Sequence, residues 1–252
     1  MRIRNILFSQ NPPPNFEKSP YAELTKKYNV KIHFFKFFQP EEISAEQYRK
    51  KRINLEDYPG VIMTSKKVVD HFFSVMDKMK VEIPLEQHFY CVNEAVAYYL
   101  QKYVIFRKRK IFFGNGEPED LIRVMEENNE TAYLFPCAVE TGEHPICLLM
   151  DKKKIRYEKM EIYRIVYKKL DSIDLSTYDL IVFFSPHGIE SLKMNHPDYE
   201  QGETYIGVLG TQVLEAAQKA NLRVDIQAST EEHTSIFTAI DQLLQKTNGR
   251  RR

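Results

Sequence analysis

One pattern occurs twice in this chain, and it narrows the possible folds more than any other feature. Tyr58–Ser65 reads YPGVIMTS and Tyr178–Ser185 reads YDLIVFFS. Each is a short apolar run that meets a small polar residue and then a helical pattern. Each is followed by a second run of the same kind, HFYCVNEAVAYYL at His88–Leu100 and YIGVLGTQVLEAA at Tyr205–Ala217. A duplicated strand-turn-helix-strand-turn-helix unit predicts two similar α/β domains. Two such domains side by side leave a cleft, a common binding site for small molecules.

The rest of the chain alternates in the same way. Strands are expected at Ile3–Ser9, Ile32–Phe38, Val61–Met63, His88–Val92, Lys110–Phe113, Thr131–Pro136, Lys159–Val166, Leu180–Phe184, Tyr205–Leu209 and Arg223–Gln227. Between them come helices over Tyr21–Tyr28, Lys66–Lys78, Glu94–Gln101, Thr211–Ala220 and Glu231–Gln245, with two more opened by GNGEPEDL and at Gly188. Pro145–Met150 suits either a helix or a short strand. Such alternation implies parallel sheets with helices on both faces. The first strand and helix have no sheet of their own, and the last block has only three strands, so the N-terminal strand most simply completes it. The expected fold is therefore two doubly wound parallel-sheet domains joined by a two-stranded β linker. One would be discontinuous, 1–36 plus 166–252, and the other, 37–165, inserted into it.

Composition excludes several classes of function. With 43% apolar and 28% charged residues the chain reads as globular. No apolar run approaches the roughly 20 residues of a membrane span, and MRIRNILFSQ has too short an apolar stretch for a signal peptide. Cys91, Cys137 and Cys147 are odd in number and form no CxxC pair, which points to a reducing cytoplasm rather than a zinc site or disulfide frame. A net charge of +1 gives no general attraction to nucleic acid or membrane. RKRK at Arg107–Lys110 and KKK at Lys152–Lys154 read as solvated surface. The expected protein is a cytoplasmic monomer acting on a small molecule.

The strand-to-helix junctions are the candidate contacts. Each presents unpaired backbone N–H groups and the positive end of a helix dipole, and in doubly wound sheets ligands bind at this edge. The junctions are Thr64-Ser65-Lys66, Asn93, Gly114-Asn115, Ser185 to Gly188, Gly210-Thr211 and Ala228 to Thr230. Together they would suit a polyanionic ligand held by backbone amides. Plainer readings stand beside these. Thr64, Ser65 and Ser185 also read as helix caps. Gly114-Asn115-Gly116 is too short for a dinucleotide or phosphate loop and reads equally as a turn. Gly210 suits close backbone approach. His187 could titrate near neutrality, yet loop histidines often have no catalytic role.

Taken in order, TSKKVVDHF, CVNEAVAYYL, FFGNGEPEDL, YLFPCA, EIYRIVY, FFSPHGIESL, VLGTQVLEAA and ASTEEHTSIFTAI resemble uroporphyrinogen-III synthases, from Ile6 to about Leu244. The resemblance implies closure of the linear tetrapyrrole hydroxymethylbilane to uroporphyrinogen III, with inversion of ring D, loss of water and no cofactor or metal. It implies substrate contacts at Ser9, Thr64, Ser65, Lys66, Asn93, Gly114, Asn115, Ser185, His187, Gly188, Gly210 and Thr211. It also puts Tyr163 at the position of the family's cleft tyrosine, thought to help the hydroxyl leave. Three positions depart from the family pattern. The first strand ends Phe8-Ser9-Gln10 where the family usually has Thr-Arg, and Val96 and Val213 stand where it usually has threonine.

Such chemistry asks mainly for orientation, because the bilane is reactive and closes unaided to the wrong isomer. A phenol can assist the departing hydroxyl as donor or acid. Two other classes fit less of the sequence. One is a two-domain relative that binds a tetrapyrrole or other carboxylate without turnover. The other is a receiver-type module, but prolines follow the first strand where that class needs an acidic cluster.

Overall fold

The computed structural model describes residues 2–51, 53–105, 109–139, 142–228 and 235–249. The chain divides into two compact units, Met1–Gln39 with Val166–Arg252, and Pro40–Ile165.

In the first unit, β1 (Asn5–Phe8) is followed by α1 (Pro20–Tyr28) and β2 (Lys31–Phe34). The chain then runs through β3 (Phe38–Glu42) into the second unit: α2 (Ala45–Lys51), β4 (Gly60–Met63), α3 (Lys66–Met79), β5 (His88–Cys91), α4 (Glu94–Leu100), β6 (Ile111–Phe113), α5 (Pro118–Asn128), β7 (Tyr133–Ala138) and α6 (Pro145–Lys153). It returns along β8 (Tyr157–Tyr167) and finishes the first unit with β9 (Leu180–Phe183), α7 (Pro186–Asn195), β10 (Tyr205–Leu209), α8 (Thr211–Lys219), β11 (Ile226–Ala228) and α9 (Ile236–Asn248). The protein is thus mixed α/β, with parallel sheets and intervening helices.

The first sheet has the order β11-β10-β9-β1-β2, parallel throughout. In the order of its own strands this is 5-4-3-1-2, a doubly wound arrangement whose winding reverses between β1 and β9. The second sheet has the order β3-β8-β7-β4-β5-β6. Its parallel part, β8-β7-β4-β5-β6, reverses between β4 and β7. The edge strand β3 runs antiparallel to β8, as the bonds Lys168 N–H to Phe37 O and Ile43 N–H to Ile162 O require.

Both faces of each sheet are buried, so strand residues alternate between two apolar layers. In the first unit Ile6, Phe8, Leu180 and Val182 pack toward Tyr21 and Leu24 of α1 and Ile240 and Leu244 of α9. Leu7, Ile181, Phe183 and Val208 pack toward Ile189 and Leu192 of α7 and Val213 of α8. In the second unit Val61, Met63, Phe89 and Leu134 meet Val69 and Phe72 of α3 and Val96 of α4. Ile62, Tyr90, Tyr133 and Phe135 meet Leu121 and Met125 of α5 and Met150 of α6. This two-faced burial explains the continuous apolar runs in the sequence.

One expected element divides. Ile32–Phe38 reads as a single aromatic strand, but the structure breaks it at residues 35–37. Phe37 is fully buried and meets Phe183 edge to face at 5.8 Å. Its carbonyl accepts from Lys168 N–H and from Ser191 Oγ, each at 2.8 Å. Leaving β2 to bury this ring redirects the chain into β3. Pro145–Met150 falls within a helix, α6, with Pro145 at its first position, where a missing N–H costs nothing. The expected start of the last helix, residues 231–234, lies outside the described residues.

Gly60, at the start of β4, leaves room for two rings. A Cβ there would overlap the buried Tyr133 ring and come within 3.1 Å of Tyr90 Cε2. Gly60→Ala should therefore lower unfolding stability by about 1–3 kcal/mol, the usual cost of overpacking. Urea denaturation checks this, and an unchanged midpoint would contradict it.

Candidate functional site

In the first unit the winding reverses at the carboxyl ends of β1 and β9, marked by Ser9 and by Phe184-Ser185. Ser9 is 4% exposed and its N–H bonds Val182 O at 3.0 Å. Its buried Oγ has no hydrogen-bond partner among the described residues. It faces the first turn of α7, where a Cβ on Gly188 would lie 3.4 Å from Ser9 Oγ and 3.1 Å from Phe183. Gly188 thus serves close approach. Ser185 precedes α7 in extended conformation, and its side chain accepts no capping bond.

Gly210 differs from the sequence expectation. A Cβ there would meet nothing within 4 Å, so space does not select glycine. Its φ of 86° with ψ of 162° does, because side chains are excluded from that region. Thr211 is the exposed first residue of α8.

His187 sits in the first turn of α7 inside a small polar cluster. Glu190 Oε2 lies 2.8 Å from His187 Nδ1 and accepts from Tyr167 Oη at 2.6 Å. Burial pushes the Glu190 carboxyl up, but the bonds from Tyr167 and His187 outweigh it and hold the group below the usual glutamate value. An ionised carboxylate only accepts, so Nδ1 carries the proton. The Phe38 ring closes one side, 5.3 Å from the imidazole.

In the second unit the reversal lies at the carboxyl ends of β4 and β7. Thr64, partly buried, leads into Ser65, which caps α3 by accepting from Val68 N–H at 3.2 Å. Lys66 is exposed, with its ammonium 5.6 Å from the centre of the Tyr99 ring. Tyr99 and Tyr103 donate to Asp70 at 2.8 and 2.6 Å, tying α4 and the turn after it to α3. Asn93 caps α4 by accepting from Val96 N–H at 3.0 Å.

Gly114 is buried beneath α5, where a Cβ would lie 3.1 Å from Leu121 N. Asn115 N–H donates to Asp120 Oδ2 and its Oδ1 accepts from Glu117 N–H, both at 2.9 Å. Local bonds therefore close this loop as a turn. Val96 and Val213, at the third residue of α4 and α8, point into the core at 5% and 3% exposure.

Tyr163 lies on β8 in register with Ala138, the last residue of β7, and its carbonyl accepts from Val139 N–H at 2.8 Å. Two residues one turn apart on α3 reach its ring. The Lys67 ammonium is 4.8 Å from the ring centre, and the His71 imidazole packs on it at 4.7 Å and 33°. His71 Nδ1 is 3.1 Å from Glu42 Oε1, while Ser74 Oγ and Lys78 Nζ bond Glu42 Oε2.

Residues 19–238 match the family model described as uroporphyrinogen-III synthase HemD. The chain belongs to the uroporphyrinogen-III synthase family. No curated protein sequence matches it significantly. Solved structures share its fold. A mutant uroporphyrinogen III synthase from the extremely thermophilic bacterium Thermus thermophilus aligns with a TM-score of 0.62 at 14% identity, covering 96% of this chain and 99% of its own. Uroporphyrinogen-III synthetase from Helicobacter pylori gives 0.59 at 13%, covering 97% and 100%.

Within this family fold the expected residues fall into two groups. Ser9, Ser185, His187, Gly188, Gly210 and Thr211 line the carboxyl edge of the first sheet. Thr64, Ser65, Lys66, Asn93, Gly114, Asn115 and Tyr163 lie along that of the second. Ser229 and Thr230 lie outside the described residues. A cavity of about 760 Å³ opens at the amino edge of the first sheet, lined by Tyr178, His196, Tyr199 and Glu203, and no expected site residue lines it. The chemistry of the strand ends, not cavity size, selects the candidate site. Among the described residues no cluster of His, Cys, Asp or Glu is arranged to hold a metal ion, and no helix is long and apolar enough to cross a membrane.

Glu42, Lys67, His71, Tyr167 and Glu190 were not among the expected site residues. The sequence hinted at some of them by helical spacing, with Lys67 and His71 four residues apart in TSKKVVDHF and Glu190 three residues after His187 in FFSPHGIESL.

Burial acts to raise the Glu42 carboxyl, but bonds from Lys78, His71 and Ser74 together hold it below the ordinary 4.5. A depressed folded value stabilises the protein above the unfolded value, and this is lost as pH falls through the folded one. The stability difference between wild type and Glu42→Gln should therefore shrink as pH drops below 4.5. Urea unfolding at a series of pH values measures it, and a difference that held constant would refute the assignment.

Proposed function

We propose that this protein is a uroporphyrinogen-III synthase: it closes hydroxymethylbilane to uroporphyrinogen III with inversion of ring D and loss of water. The observation that carries the reading is the placement of Tyr163, at the carboxyl end of the β7–β8 pair and against the first turns of α3. Family membership over residues 19–238 supports it. The substrate's carboxylates would rest on backbone amides at the helix N-termini that follow β4, β5, β9 and β10. The buried Ser9 hydroxyl would add a donor beside α7. The phenol of Tyr163 would donate to the departing hydroxyl, which leaves as water. The electrophilic methylene left behind is then attacked by the substituted carbon of ring D, the bond from that carbon to its original methylene breaks and re-forms at the ring's unsubstituted carbon, and the proton lost there restores the phenol; the protein's main contribution is to hold the attacking carbon in place. On this reading the protein is a cytoplasmic monomer that needs no cofactor.

The departures at Val96 and Val213 carry a second reading, a relative that binds a tetrapyrrole without turnover: neither offers a hydroxyl, and both side chains are given to the core. One assay separates the two. Added to freshly made hydroxymethylbilane, the protein should shift the product from uroporphyrinogen I to III. If the isomer ratio stays that of buffer alone, the synthase reading fails and the binding reading remains. Tyr163→Phe should lower the turnover rate by about 10²-fold, within the range for general acid assistance, while the product stays mainly isomer III. A full rate would reduce Tyr163 to packing, and release of mainly isomer I would make its role positional.

A further inference from the structure

The contacts around Tyr163 follow a plan that packing alone does not require. His71, Ser74 and Lys78 occupy positions i, i+3 and i+7 of α3, one stripe of the helix, and all three bond the same carboxylate, Glu42. Lys78 by itself would neutralise that charge. The bond from His71 adds something else. Because Glu42 is held ionised, it can only accept, so His71 Nδ1 carries the proton and the imidazole plane is fixed. The fixed ring is the one that lies on Tyr163 at 4.7 Å. His71 and Glu42 side chains are 16% and 22% exposed, so both are largely covered by protein. Lys67, one turn before His71, brings its ammonium to the same phenol ring.

We propose that His71, clamped by Glu42, is a positioning residue that fixes the orientation of the Tyr163 phenol for its donation to the departing hydroxyl. The inference rests on the reading of Tyr163 given above. A phenol on a strand swings about its Cα–Cβ bond with its hydroxyl at the far end of the ring. A small rotation about that bond therefore moves the donor by a large fraction of a hydrogen-bond length, and misplacement on that scale is costly in rate. The imidazole face removes that freedom, and the Glu42 bond keeps the face from turning away.

The test combines kinetics on freshly made hydroxymethylbilane with a spectroscopic readout. His71→Ala should lower kcat by about 10- to 100-fold and leave KM little changed. His71→Phe restores a flat ring without the bond to Glu42 and should recover part of the lost rate. In the Tyr163→Phe background His71→Ala should cause no further loss, because the group it positions is gone. A full additional loss in that background, or a His71→Phe variant as slow as His71→Ala, overturns the proposal. The spectroscopic arm needs no activity. In protein labelled with ¹³C-tyrosine, the Tyr163 ring signal is assigned by its disappearance in Tyr163→Phe. It should shift and broaden in His71→Ala and return toward its wild-type position in His71→Phe. An unmoved signal overturns the positioning role whatever the kinetics. If instead Tyr163→Phe keeps the full wild-type rate while the Tyr163 signal responds as expected, the acid reading of Tyr163 has failed and the clamp has not. Urea midpoints of all variants separate local from global effects. Should His71→Ala not fold, His71→Phe and His71→Gln carry the comparison, with the ring in one and only an N–H donor in the other.

Discussion

Parallel pairing at two points sets everything else in this molecule. Ile6 sits beside Leu180, and Gly60 beside Tyr133. At each point the next helix in sequence crosses to the opposite face, so the chain leaves neighbouring strand ends in opposite directions. In doubly wound sheets that divergence at the carboxyl edge is where ligands bind. Ser9, Ser185 and Gly188 occur at one such edge and Thr64 and Ser65 at the other. The helices α3 and α4 gain side-chain caps at the second edge, the sheets gain two buried faces, and backbone donors stand at both edges as a result.

Much of this was legible from residue order. The strands that open each unit of the repeat, β4 and β9, were readable because their apolar runs are continuous, as burial on two faces demands. The turn glycines were readable as turns but not by kind. Gly188 is selected by the Phe183 ring and the Ser9 hydroxyl, and Gly210 by its backbone angles alone. A one-dimensional pattern cannot separate these causes. The break between β2 and β3 was not legible, since HFFKFF is aromatic whether Phe37 continues a strand or turns inward under Phe183.

The polar clusters were hardest to foresee. Glu42, His71 and Tyr163 come from β3, α3 and β8, and Tyr167, His187 and Glu190 from β8 and α7. Apart from His187 and Glu190, three residues apart on one helix, neither set has a spacing that could identify it, because the rest of each forms only when strand order brings distant segments together. Val96 and Val213 are a further case. At their helix positions the sequence suggests a missing hydroxyl, whereas the structure gives both side chains to the core. A residue can differ from its family at such a place and still keep the junction's backbone in order.

The pairing of β1 with β9 has a bearing on how the chain comes into being. Residues 5–8 leave the ribosome before Pro40–Ile165, and their neighbours at Leu180–Val182 only after the whole of that unit has been made. At ordinary rates of synthesis the intervening unit has seconds in which to fold first. Until β9 arrives, β1 has only β2 beside it, and one of its edges is open to stray pairing. The three prolines that follow three residues after that strand, Pro12, Pro13 and Pro14, cannot donate to a sheet ladder. They limit how far a wrong partner could extend along the waiting segment.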